Sequence, residues 1–349
     1  MNHNISIIGT VGVPACYGGF ESLVENLLPS DKIGLIYCSA NSYSEVHSTY
    51  KGSKLKYLPL DANGVQSIPY DIISILHSLF FTKNDLLVLG VSGAICLPLV
   101  RLFSKRKIIT NIDGLEWRRD KWGKYAKKFL KYSEALAVKH SDIVIADNKA
   151  ISDYVVDEYG VVPSIIAYGG DHALVDSSER YTKQDYSLAL CRIEPENNVH
   201  AILEAFSRTP QRKLKFIGNW DKSSYGQELK SKYSVFPNIS IVDPVYDLDV
   251  LFQYRAQCSS YIHGHSAGGT NPSLVEMMFF GIPIVCFDCS YNRASTEDKG
   301  LYFQNSDHLV SMLNERSDLI SEVGGEMKEI AYRRYTWQIV KEQYLSLFE

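Results

Sequence analysis

A short β-prone run from Ser259 to Ile262, a glycine-rich turn and an apolar segment from Leu274 to Phe280 follow one another without a break. This order of strand, turn and helix constrains the chain most, because it aims a helix N-terminus past the end of a strand. The turn reads His263-Gly264-His265-Ser266-Ala267-Gly268-Gly269-Thr270. Asn271 is a favourable N-cap, and Pro272 suits the first helical position, where an N–H would be orphaned anyway. Gly268 and Gly269 let the backbone approach a ligand closely. The amides of Ser273 and Leu274 are expected to face outward as an anion site, most often one for phosphate. Glu276, about one turn into the helix, is placed to accept hydrogen bonds from hydroxyls of whatever carries the phosphate. The same spacing also fits an ordinary connection with a solvated Glu, so the turn alone leaves both readings open.

The same alternation runs through the rest of the chain. Ile5–Gly9, Ile33–Cys38, Leu55–Leu58, Leu86–Val91, Lys107–Ile112, Asp142–Ala146 and Ser164–Ala167 read as strands. Phe20–Leu28, Val65–Phe81, Lys121–His140 and Asn148–Tyr159 carry helical spacing. A polar stretch without periodicity, Asp176 to Asp185, is the expected linker. A second series follows, with strands at Ser187–Leu190, Leu214–Ile217, Ile239–Val242, Ser259–Ile262 and Ile284–Phe287. Its helices are Asn198–Ser207, Asp247–Gln257 and Pro272–Phe280, and an amphipathic tail covers Trp337–Phe348. Repeated βα units predict an α/β fold with parallel sheets and helices on both faces. Two Rossmann-like domains of similar size are expected to face each other across a cleft, at the carboxyl edges of their strands.

Composition excludes several classes. Of the 349 residues, 45% are hydrophobic and 22% charged, which is a globular balance, and the net charge of -4 argues against a nucleic-acid partner. Seven cysteines, an odd number, imply no small disulfide framework and point to a reducing, cytosolic setting. Cys286 and Cys289 have a C-x-x-C spacing without a second pair, which reads as packing and not as a zinc site. Leu86 to Val100 is too short for a membrane span and contains Gly90, Gly93 and Pro98. No signal peptide is expected before Ile5. Charge is unevenly placed, however: Arg101 to Lys131 holds eleven Lys/Arg against three acids. Lys124, Lys127, Lys128 and Lys131 recur there at helical spacing, beside Tyr125, Phe129 and Tyr132. Such a face suits an anionic membrane surface or a merely solvated helix.

The turn from His263 to Glu276 resembles the donor-site motif of the family-4 retaining glycosyltransferases, which have the GT-B fold. There a pair of Glu residues holds the sugar and ribose of a nucleotide sugar; Glu276 matches the second, and Gly268 stands at the first. Three further stretches resemble bacterial rhamnosyltransferases of capsule and O-antigen assembly. They are Val13-Pro14-Ala15-Cys16-Tyr17-Gly18-Gly19-Phe20-Glu21, Asp113-Gly114-Leu115-Glu116-Trp117-Arg118-Arg119 with Lys121-Trp122, and Asn292-Arg293-Ala294 followed by Tyr302-Phe303. The resemblance covers nearly the whole chain. It implies an acceptor-side domain over 1–180 with helix 336–349 crossing back, and a donor-binding domain over 181–335.

The resemblance also implies roles. Arg192 and a Lys at the Asn197 position would clamp the donor diphosphate; here only Arg192 is a cation. Gly12, Gly18, Gly19, Gly268, Gly269, Thr270, Asn271 and Ser273 are expected to share the donor, and either His265 or the backbone amides of Gly268 and Gly269 to stand in for the absent Glu. Arg192, Asp113 and His265 are the candidate catalytic residues, although Asp113 also fits a turn before Gly114. Tyr17, Glu116 and the four lysines fall on the acceptor and membrane side. No cofactor and no metal are expected, the diphosphate itself taking the acceptor proton. Asp247-Leu248-Asp249 looks like a metal motif but opens a helix, where acids are favoured, and Glu297-Asp298 reads as a solvated loop. The implied activity is transfer of L-rhamnose from dTDP-L-rhamnose to a lipid-linked oligosaccharide, by a cytoplasmic enzyme peripheral at the inner membrane face. The same fold with a UDP-hexose donor, and a non-catalytic sugar-nucleotide-binding partner subunit, are the alternatives.

Overall fold

The computed structural model describes residues 4–16, 18–118, 122–175, 181–315 and 319–349. The chain divides into two compact units. The first runs to Tyr168 and takes back Trp337–Glu349; the second is Gly169–Thr336. Half of the expected linker, 176–180, lies outside the described residues.

The first unit holds strands β1 (Ile5–Ile8), β2 (Ile33–Ser39), β3 (Thr49–Tyr50), β4 (Ser53–Leu58), β5 (Asp85–Leu89), β6 (Ile108–Asn111), β7 (Ile143–Ala146) and β8 (Ser164–Ile165). Their order is β3-β4-β2-β1-β5-β6-β7-β8, parallel except for β3. β1, β5 and β6 are buried along their whole length, which is why they read as mainly apolar runs without a strict alternation, Ser6, Asp85, Thr110 and Asn111 being their polar members. The helices are α1 (Gly19–Leu27), α2 (Ser67–Phe81), α3 (Leu97–Phe103), α4 (Lys124–His140) and α5 (Lys149–Tyr159). α4 starts three residues later than the periodicity predicts, after Gly123; Arg119 and Lys121 lie outside the described residues.

The second unit holds β9 (Ser187–Leu190), β10 (Leu214–Ile217), β11 (Ile239–Val242), β12 (Ser260–His263), β13 (Ile284–Phe287) and β14 (Leu301–Phe303), in the order β11-β10-β9-β12-β13-β14. All its pairs are parallel. Its helices are α6 (Val199–Ser207), α7 (Ser224–Tyr233), α8 (Leu248–Gln257), α9 (Pro272–Met278), α10 (Ser290–Ser295), α11 (Ser306–Asn314) and α12 (Leu319–Arg334). Both units are doubly wound and Rossmann-like. The strand order reverses between β1 and β5 in the first and between β9 and β12 in the second. The loops after those strands diverge at such points, which is where doubly wound sheets bind ligands.

The last helix, α13 (Trp337–Ser346), belongs to the first unit. Trp337, Val340 and Tyr344 are buried in one cluster with Leu23, Val24 and Leu27 of α1. Asn111, at the end of β6, donates from Nδ2 to the Tyr344 hydroxyl at 2.7 Å.

One buried acid in this unit has no counter-charge among its described contacts. Asp71, on α2, packs so closely on the turn before α3 that a Cβ at Gly93 would sit 2.5 Å from its own Cβ. Its Oδ1 has no hydrogen-bond partner. Burial pushes the carboxyl well above the usual carboxylate range. The folded protein therefore retains a proton that the unfolded chain releases above about pH 3.9, and stability falls as pH rises through that window. We expect Asp71→Asn to flatten this slope, so that its urea midpoint relative to the unaltered protein is higher at pH 7 than at pH 4.5. A difference independent of pH would show Asp71 to be ionised in the fold.

Candidate functional site

At the reversal point of the second sheet, the loop after β9 meets the loop after β12. Arg192 is the second residue beyond β9. Its guanidinium is half exposed, and its one ion pair is with Glu194 at a long 3.7 Å. Such an open pair contributes little, so the cation stays available to an incoming anion. Asn197 stands where the resemblance asks for Lys, and it does a different job. Its Nδ2 donates to the Arg192 carbonyl at 2.7 Å, and its Oδ1 lies 2.8 Å from His265 Nδ1. The first bond fixes which end of the amide faces His265. Oδ1 can only accept, so the proton sits on Nδ1 of the neutral ring. Gly264 is required here: a Cβ would stand 2.1 Å from the Asn197 carbonyl oxygen. Asn198 donates to the Gly264 carbonyl at 2.8 Å, and Ser266 binds the Glu196 carbonyl through both N–H and Oγ. Asn292, from the third resembling motif, is buried beneath the turn and donates to the carbonyls of His265 and Phe287.

The start of α9 differs from the expectation. Asn271 is the N-cap, accepting from the Ser273 amide at 3.0 Å, and its carbonyl accepts from Leu274. The Ser273 and Leu274 amides are therefore engaged by the cap and do not face an anion. In the turn before this cap Gly268, Gly269 and Thr270 are buried, and Gly268 adopts φ +115°, a region that favours glycine.

Glu276 is not solvated. Its side chain is only 13% exposed, with Oε2 on the Arg255 guanidinium and Oε1 3.2 Å from His172 Nε2. Burial pulls its pKa up, but Arg255 and His172 outweigh burial and hold the carboxyl below its ordinary value. Each oxygen of a carboxylate accepts more than one hydrogen bond, so a lone pair is left for a ligand hydroxyl. Neither partner carries a sequence signal. Arg255 looks like any basic residue in the last turn of a helix, and His172 follows the undistinguished Gly169-Gly170 pair. Gly170 packs on this helix so tightly that a Cβ would lie 2.9 Å from the Glu276 nitrogen. Beside them, His263 is buried with an unpartnered Nε2, and burial pushes its pKa well down.

The glycine loop of the first unit is folded onto its own acid. Glu21, in the first turn of α1, accepts from the Val11 amide at 2.8 Å and from Thr10 Oγ1 at 3.2 Å. Gly12 N–H is engaged by Thr10 Oγ1. A Cβ on Gly18 would lie 2.5 Å from Glu21 Oε2, and one on Gly19 would lie 3.2 Å from the Tyr168 ring. The Glu21 carboxyl thus fills the space inside this glycine loop, and burial pushes its pKa up. Tyr17 lies outside the described residues. Asp113 sits at φ +60°, its amide held by Asn111 Oδ1 at 2.9 Å, in the loop after β6.

Two other acids also take structural positions. Asp247 caps α8 by accepting from the amides of Asp249 and Val250. Glu297 is no solvated loop residue, being paired with Arg333 and Arg334. Among the described residues no cluster of three His, Cys, Asp or Glu could hold a metal ion.

The acceptor-side residues separate. Glu116 accepts from Trp122 Nε1 at 3.0 Å. Lys124 and Lys128 are exposed. Lys131 is less exposed than they are, and it is engaged. It pairs with Glu158 at 2.9 Å and lies over the rings of Trp117, Tyr154 and Tyr159, above the buried Glu134.

Residues 172–322 match the family glycosyl transferases group 1, and residues 2–171 match a domain of unknown function, DUF1972. No curated protein matches the chain. Among solved structures, sucrose-phosphate synthase from Thermosynechococcus elongatus aligns with a TM-score of 0.81 at 13% identity, over 99% of this chain and 98% of that one. HepE from Anabaena, crystallised with UDP and glucose, aligns at 0.73 and 15%, over 99% of both chains. AviGT4, a glycosyltransferase involved in avilamycin A biosynthesis, aligns at 0.61 and 14%, over 99% and 97%.

The Arg255–Glu276 pair generates a prediction. Removing one member of a buried pair leaves an uncompensated charge, at a cost of about 3–5 kcal/mol. Arg255→Met should destabilise the protein on that scale by urea unfolding, and adding Glu276→Gln should restore most of the loss. Additive losses would mean that the two side chains do not act as a pair.

Proposed function

We propose that this chain, whose residues 172–322 match the glycosyl transferases group 1 family and whose fold aligns with that of sucrose-phosphate synthase, is a glycosyltransferase that moves a sugar from a nucleotide donor to a lipid-linked saccharide. The observation that carries the reading is a weakly engaged cation, Arg192, in the loop after β9, together with the partly buried carboxylate of Glu276 on the helix that follows the glycine turn. In this reading Glu276 accepts the ribose hydroxyls. Arg192 and the backbone from Gly268 to Thr270 hold the diphosphate. The bond between the anomeric carbon and the β-phosphate oxygen breaks, and negative charge grows on that phosphate. Arg192 is placed to stabilise it. The acceptor oxygen forms the new bond on the same face, and its proton passes to the departing phosphate, so no side-chain base and no metal are needed. His265, with its proton held on Nδ1 by Asn197, orients the sugar.

The donor we favour is dTDP-L-rhamnose, on the resemblance of four stretches to capsule and O-antigen rhamnosyltransferases. A UDP-hexose is the second reading, favoured by HepE, whose structure holds UDP and glucose. Incubation with both donors and detection of the released diphosphate separates them. A non-catalytic binding subunit would release none from either.

Contact with the cytoplasmic membrane face completes the proposal, through the exposed lysines of α4 and through a second, apolar surface. No helix among the described residues is long and apolar enough to cross a membrane. Phe80 and Phe81 end α2, and Leu102 and Phe103 end α3; they are 64%, 76%, 75% and 65% exposed. Arg106 ties these ends together by donating to the carbonyls of Ser78, Leu79 and Thr82. Lys83, Arg101 and Lys105 flank them. Apolar tips with a basic rim suit the interface of an anionic bilayer.

Two outcomes are expected. Arg192→Ala should lower kcat by about 10²–10³, as loss of one donor to a developing anion does, with Arg192→Lys recovering part; an effect on KM alone would assign Arg192 to ground-state binding. Phe81→Ser combined with Phe103→Ser should weaken sedimentation with phosphatidylglycerol vesicles, and undiminished sedimentation would remove this surface from the membrane.

A further inference from the structure

A pocket of about 1040 Å³ opens on α4 in the first unit, and none of the donor-site residues lines it. Its size matches the upper end of the about 300–1,000 Å³ typical of small-molecule sites. Trp117, Trp122, Tyr132 and Tyr159 form aromatic walls, and Arg118, Lys124, Lys127, Lys128 and Lys131 bring five cations to them. The one acid among the described lining residues, Glu158, is paired with Lys131.

The walls are built and held. Trp117 Nε1 donates to Glu134 Oε2 and Trp122 Nε1 to Glu116 Oε1, each at 3.0 Å. Both indole N–H groups are therefore satisfied within the protein, and Lys131 lies over the Trp117 ring at 4.8 Å from its centre. Glu134 also accepts from Tyr154 at 2.6 Å and Tyr159 at 2.7 Å, which stiffens the floor. The Arg118 guanidinium lies 5.1 Å from the Trp117 ring centre. A concave surface lined by one sign of charge concentrates counter-ions. Aromatic walls under that charge call for a ligand that is polyanionic at one end and apolar beside it. A nucleic acid fits poorly, given the net charge of -4.

We propose that this pocket binds the diphosphate of the lipid-linked acceptor, with the first apolar segment of its lipid packed on the aromatic walls. This rests on the reading that the acceptor is a lipid diphosphate. Arg118 supplies a fork of donors to the phosphate oxygens, and Lys124 and Lys128 supply point charges at the rim.

Farnesyl diphosphate is the probe, titrated against quenching of tryptophan fluorescence and by calorimetry, on the full chain. Farnesol and inorganic pyrophosphate should each bind at least about tenfold more weakly than farnesyl diphosphate. Lys124→Gln with Lys128→Gln should weaken farnesyl diphosphate by a similar factor, and Trp117→Phe with Trp122→Phe should abolish the quenching. Pyrophosphate binding as tight as farnesyl diphosphate would overturn the proposal in favour of a free phosphate site. Phosphatidylglycerol vesicles that bind in competition with farnesyl diphosphate, and lose the same factor in the lysine variant, would overturn it in favour of a bilayer contact. Because this binding requires no turnover, it survives if sugar transfer is absent. Conversely, transfer to a lipid-linked acceptor with an unchanged KM in the lysine variant would refute the pocket and leave the transferase reading intact.

Discussion

The side-chain amide of Asn197 is the bond on which the second unit's site depends. In a parallel sheet the backbone ladder ends with the strands, so nothing in the ladder joins one carboxyl-edge loop to the next. Asn197 joins them, with one end of its amide on the Arg192 carbonyl and the other on His265. Asn198 and Asn292 repeat the device from either side, through the carbonyls of Gly264 and His265. Three short amides thus hold a cation, an imidazole of fixed tautomer and a glycine turn in one arrangement before any ligand arrives. Preorganisation of this kind is where most electrostatic stabilisation of a departing anion originates.

Buried charge in both units follows one rule, which is that an ion leaves water only with several partners. Glu276 has a guanidinium and an imidazole. Glu134 has an indole, two phenols and an ammonium. Asp71 breaks the rule, and burial keeps its proton on.

The sheet framework was legible because fully buried parallel strands leave mainly apolar runs, as in Ile5–Ile8 and Asp85–Leu89. The Asn271 cap was legible because capping is local chemistry. α7 was not, since Ser224–Tyr233 shows only three buried positions in a polar decapeptide. The engagement of the Ser273 amide was hidden as well, because a good cap and an open anion site use the same N–H groups. Pairings across the fold leave no trace in spacing. Lys131 shares its helical register with Lys124 and Lys128, and only the positions of Trp117 and Tyr154 separate it from them. Arg255 was invisible for the same reason.

The return of α13 to the first unit has a consequence for how this protein must be made. The core around Leu23, Val24 and Leu27 is closed by Trp337, Val340 and Tyr344. A ribosome therefore synthesises the whole of Gly169–Thr336 before the residues that seal the first unit exist. The second unit is contiguous and can complete its core as it emerges, whereas the first, although begun earlier, has to wait with an apolar seam exposed. Order of synthesis and order of completion are thus reversed, and the waiting seam is where a nascent-chain chaperone would find its purchase.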